Sequence, residues 1–170
     1  MSNTNIFDYN NRGTAYFTCS QAVVTTTALS TTATGCILYN PWGSGKKLVI
    51  LDARWIYTAA ITAVSGVMLS MGNTPSVAAT PAGTAQSIWR ADGSGVTTTQ
   101  VARAFTIATT NVVNVYVAPL AHSGTALVSA YGEGFHDGKM LVVPGNYVMF
   151  SHVTTAVVGI GSFLWAEIDE

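Results

Sequence analysis

Charge is what this chain has least of. Of its 170 residues, 7 are Lys or Arg and 8 are Asp or Glu, so ionic side chains make up 9% of the composition, against about 25% in an ordinary soluble domain. So few ions cannot cover a monomer of this size. Either Thr, Ser, Asn and Gly coat the surface, or partner subunits bury it, and the second reading suits a chain that is 49% apolar with a mean hydropathy of +0.37. Clustered cations are missing too: Lys46 and Lys47 form the one adjacent basic pair and the net charge is −1. Binding dominated by phosphate contacts needs a basic patch, so nucleic acid is set aside as a partner. Long apolar runs are also absent. The longest, over 156–166, holds two glycines and a serine and falls short of the roughly 18 residues that mark a membrane helix. The first residues, MSNTNIFDYNNRG, are polar, contain no apolar h-region and do not read as a secretory signal. A transmembrane barrel shares the dispersed hydropathy but needs export, so no membrane partner is expected.

Cysteine is scarce. Cys19 and Cys36 are the two present, too few for a disulfide framework or a four-ligand zinc site, and they read as buried free thiols rather than a bonded pair. Helix signals are nearly absent, with no window combining 3.6-residue periodicity, caps and good helix formers. Val, Thr, Ile and aromatics, which suit a pleated, half-buried surface, are plentiful instead. Strands are expected near 14–25, 35–40, 46–58, 66–71, 87–90, 102–108, 112–119, 139–143, 147–154 and 157–168. Turn chemistry separates them at NPWGSG, GNTP, ADGSG, HSG, HDGK and VPGN. Two longer stretches, a polar arm over 1–13 and the Pro/Ala/Thr-rich 73–86, read as segments that reach a neighbour or stay unordered. A chain of about 150 residues buries roughly 68–70% of its unfolded surface, so 14–170 reads as one domain. The expectation is all-β: an antiparallel β-sandwich of jelly-roll type with about 8–10 strands.

Alternation is clearest over 46–58. Leu48, Ile50, Asp52, Arg54 and Ile56 fall on one face; Val49, Leu51, Ala53, Trp55 and Tyr57, wholly apolar or aromatic, fall on the other and are assigned to the core. Near the end, Val158, Ile160, Ser162, Leu164, Ala166 and Ile168 share one face, and Gly159, Gly161, Phe163, Trp165 and Glu167 the other.

Four constellations are candidates for chemistry. Gly43-Ser44-Gly45-Lys46 looks like a phosphate loop, but a Walker A motif needs Gly where Asn40 stands, Ser or Thr where Lys47 stands, and a helix to follow. Here an apolar strand follows, so the motif reads as a turn. Glu133, His136 and Asp137, with His122 or His152, could hold a metal, but Asp137-Gly138 is a hairpin signal. Ser151-His152 lacks the Gly-x-Ser-x-Gly elbow, and His152 alternates with Val148 and Phe150 as a core or interface residue would. Trp42 in a turn, and Trp89 with Arg90 beside a Gly-rich loop, are candidate interface or ligand contacts, since exposed Trp and Arg are enriched at anchors. No catalytic residue, metal site or cofactor is assigned.

The segment CILYNPWGSGKKLVILDARW, an apolar pair, then Asn-Pro-x-Gly-Ser-Gly-Lys, then a strand, resembles a pattern in small β-sandwich virion proteins of tailed bacteriophages. VVPGNYVMF and SFLWAEIDE are similar to that family's closing Pro-Gly turn, alternating strand and aromatic-acidic tail. The resemblance covers the second strand through Trp55 and the last thirty residues, and not the middle. It implies a homotrimeric jelly roll on the capsid or the tail. The expectation is a non-enzymatic capsid decoration (cementing) subunit at the capsid surface of a virion, whose partners are copies of itself and the major capsid protein or other virion proteins. The alternative is a receptor-binding or tail-tip domain that recognises host glycans, with Trp42 and Trp89 as its contacts.

Overall fold

A computed structural model describes residues 15–20, 24–25, 27–28, 36–59, 65–74, 83–106, 113–123, 131–152 and 154–170; at 24, 27–28, 113–123 and 131–139 it describes the backbone. Among them every regular element is a strand: β1 (Ala15–Cys19), β2 (Val24–Thr25), β3 (Thr27–Ala28), β4 (Ile37–Tyr39), β5 (Lys46–Tyr57), β6 (Ser65–Asn73), β7 (Ile88–Arg90), β8 (Arg103–Phe105), β9 (Val113–Ser123), β10 (Tyr131–Val142), β11 (Asn146–His152) and β12 (Val158–Asp169). They form two sheets. Sheet 1 runs β10-β5-β12-β1-β7 with β2 on β12, and sheet 2 runs β8-β4-β11-β6-β9 with β3 on β11. All pairings are antiparallel except the two-residue β3–β11 bridge. The expected β-sandwich is what the chain forms.

The pairing is nested. β6 pairs with β9, β5 with β10, β4 with β11 and β1 with β12, so the chain behaves as one long double ribbon. Rolling the ribbon adds β5 to β12 and β6 to β11, which closes the two sheets over a common core. That core is aromatic. Trp55, Trp165, Phe150 and Phe163 are fully buried, with Leu38, Leu48, Ile50, Leu69 and Val148 around them. Phe150 lies 4.7 Å from Phe163 and 5.3 Å from Trp55, ring centroid to centroid, within the range of favourable ring pairs. The glycines of β12 make room for these rings. A Cβ on Gly161 would lie 2.6 Å from the Phe150 ring, and one on Gly159 would lie 2.2 Å from the Ile56 carbonyl oxygen, so glycine is there for close approach.

Two expectations need correction. In β5 the alternation is not continuous. Ile50 pairs with Trp165 and Asp52 with Leu164, which leaves Leu51 as an extra residue, a β-bulge. A one-residue bulge inverts the facing of everything on one side of it. Leu48 and Ile50 therefore join the core with Ala53, Trp55 and Tyr57, and the expected placing of Val49 and Leu51 in that core is inverted. In β10, the HDGK stretch does not reverse the chain. It lies inside the strand, where the pairing with β5 jumps from Phe135 opposite Asp52 to Met140 opposite Ile50. The Asp-Gly signal marks an irregular bulge and not a hairpin.

Among the described side chains, sheet 2 is covered on both faces of β4 and β11. Val148, Phe150 and Leu38 point into the sandwich. On its other side Ile37, Tyr39, Tyr147 and Met149 form a second buried cluster with Phe105 packed on it, and Ser70 hydrogen-bonds Ser151 there. Strands buried on both faces lose their polar-apolar alternation, as YVMF and CILY do. Part of the apolar surplus is thus hidden inside the single chain rather than between chains.

Candidate interaction face

The outer face of sheet 1 is the one broad apolar surface left open among the described residues. Its layout follows from register. Across one row lie Trp89 on β7, Phe17 on β1, Leu164 on β12 and Asp52 on β5; across the next lie Cys19, Ser162 and Arg54; beyond them Ile160 faces Ile56. On the other side Ala15, Ala166 and Val49, all buried, lead to exposed Leu141. Ile56 is 53% exposed, Leu141 44%, Phe17 40% and Trp89 38%. Phe17 and Trp89 stack, with centroids 6.4 Å apart and planes 17° from parallel. The face has an aromatic pair on β1 and β7, half-buried Leu164 and Ile160 on β12, and two separate exposed aliphatic residues, Ile56 on β5 and Leu141 on β10, at opposite ends of the face with Asp52 and Arg54 between them.

Arg54 Nε donates to Asp52 Oδ2 at 2.6 Å along β5. Asp52 is buried while Arg54 is exposed, and β10 sets Glu133 opposite Arg54 in backbone register.

The three aromatic and cationic candidates do not form one site. Trp89 belongs to the face just described. Arg90 follows it on the opposite side of β7 by strand alternation, at the start of a tight turn that brings Trp89 to Val96 and closes with Arg90 N donating to Gly95 O. In that turn the Asp92 carboxyl lies below its usual range because Ser94 hydrogen-bonds it, with the Arg90 charge adding a smaller pull. Trp42 sits elsewhere, in the β4–β5 turn. Its Nε1 donates to Thr74 Oγ1 at 2.8 Å, and its ring lies on Gly145 so closely that a Cβ there would be 2.4 Å from it. Exposed as it is, Trp42 clamps two turns together.

The Gly-Ser-Gly-Lys stretch is a turn, as expected. It leads into β5, Gly43 and Gly45 take positive φ of 71° and 65°, and the strand that follows offers no helix dipole to an anion. At its centre is Asn40, fully buried. Its Nδ2 donates to Lys46 O at 2.8 Å and Val142 O at 2.9 Å, and its Oδ1 accepts from Ser44 Oγ at 2.7 Å. Its own carbonyl accepts from Gly145 N at 2.8 Å. Asn40 thereby ties the β4–β5 turn to the β10–β11 turn. The latter is a Pro-Gly turn with Asn146 N donating to Val143 O and Gly145 at φ 83°, the geometry a type II turn requires.

The remaining candidates hold no shared chemistry. Ser151 and His152 are consecutive on β11, so they face opposite sides, and both are buried. The side chains of His122, Glu133, His136 and Asp137 lie outside the described residues. No group of three or more His, Cys, Asp or Glu side chains converges among the described residues. Cys19 and Cys36 are both free thiols, but only Cys36 is buried. Burial, and to a lesser degree the neighbouring Cys19, pushes the Cys36 thiol up to about 12. Cys19 lies on the open face instead of in the core. One buried acid has a clear structural role, for Glu167 accepts from the backbone N–H groups of Val101 and Ala102 at 3.0 Å.

Sequence reasoning placed Ile56 on an outer face and grouped Ile160 with Leu164, but it did not find Phe17, whose signal was the β1 alternation of Phe17 and Cys19 against Tyr16 and Thr18. No protein-family model, no curated protein and no solved structure matches this chain.

Proposed function

We propose that this chain is a non-enzymatic structural subunit of a tailed-bacteriophage virion, a capsid decoration (cementing) protein that assembles as a trimer and docks on the shell. The observation that carries the proposal is the open apolar face of sheet 1 on a chain with 9% charged residues. Burial of such surface stabilises association by about 25 cal/mol per Å², and contacts with few ions are little weakened by salt. The nested pairing supports a jelly roll. Without the short strands, the sheets read β1-β12-β5-β10 and β4-β11-β6-β9, the order of an eight-stranded double Greek key, an architecture shared by viral capsid and lectin domains. The resemblance of the Asn-Pro-x-Gly-Ser-Gly-Lys turn to virion sandwiches points the same way.

One feature favours the alternative of a glycan-binding tail domain. Trp89, stacked on Phe17, stands next to a turn carrying Asp92, Ser94, Thr97 and Thr99, a flat ring beside hydroxyl and carboxylate groups. Cryo-electron microscopy of particles carrying the protein separates the two. Decoration requires sandwich-sized density around local axes of the shell; density at the tail tip, together with selective binding on a glycan array, overturns it.

A further inference from the structure

We draw no further inference here: the strongest candidate, the exposed strip at one edge of sheet 1 formed by Phe17 on β1, Trp89 on β7 and Val96 bridged to Trp89, is an unpartnered apolar surface, and nothing in the structure shows what covers it.

Discussion

Replacing Asn40 with Ala is the perturbation whose cost follows most directly from the geometry. The side chain is fully buried and makes three hydrogen bonds, two to strand carbonyls of β5 and β10 and one from Ser44. Each is worth about 1 kcal/mol net, and buried carbonyls stripped of a partner cost more than the bond itself. The expected loss is about 3 kcal/mol. In a chain of this length that corresponds to a fall in Tm of about 6–12 °C. Asn40→Asp is the sharper variant. It keeps the shape but sets a carboxylate oxygen against the Lys46 and Val142 carbonyls, so its cost equals or exceeds that of the alanine. Equilibrium urea unfolding at fixed protein concentration reads both, with an unchanged m-value showing that stability alone has moved. If both variants unfold within about 0.5 kcal/mol of the parent, as an ordinary surface change would, the turn is held by something other than Asn40 and the reasoning fails.

Three further outcomes are expected. Gly161→Ala drives a methyl group to 2.6 Å from the Phe150 ring and costs about 1–3 kcal/mol by overpacking, which thermal unfolding will show. Glu167→Ala leaves the Val101 and Ala102 amides without their acceptor, with a loss of about 1–3 kcal/mol; hydrogen exchange should speed up at those two amides first. A thiol reagent at neutral pH should label one cysteine per folded chain, Cys19, and two after unfolding, because burial pushes the Cys36 thiol up to about 12. The sign for stability follows from linkage. A raised folded value means the unfolded chain loses that proton first as pH climbs, so the contribution is full below the ordinary thiol range and fades above it.

How much of this was written in the sequence varies from strand to strand. β12 was readable because Gly159, Gly161, Phe163 and Trp165 alternate without interruption, and its pairing with β1 and β5 is continuous enough to keep that phase until Leu164. The Pro144-Gly145 turn was readable because it needs a positive φ that glycine supplies. β5 was half readable: the bulge at Leu51 is a tertiary event with no residue signature, and it inverts Leu48 and Ile50 relative to Trp55. The HDGK stretch carried hairpin chemistry, yet the pairing of β10 with β5 resumes beyond it at Met140. The buried outer side of sheet 2 was signalled by the unbroken apolar runs, but such runs say only that both faces are covered. Trp42 and Trp89 looked alike as exposed anchors. What separates them is that Trp42 has Gly145 and Thr74 beneath it, whereas Trp89 has Phe17 beside it on an open sheet. Contacts between residues that far apart in the chain are set by the fold and leave no local pattern.

Sedimentation velocity of the wild-type chain over a wide dilution series, at low and high salt, tests most directly whether sheet 1 is covered by other copies. The account predicts a closed three-chain species that persists in both salts, since a chain with 9% charged residues has few ions to screen. A single-chain species at every concentration would contradict it, and so would an assembly that dissolves when salt is added.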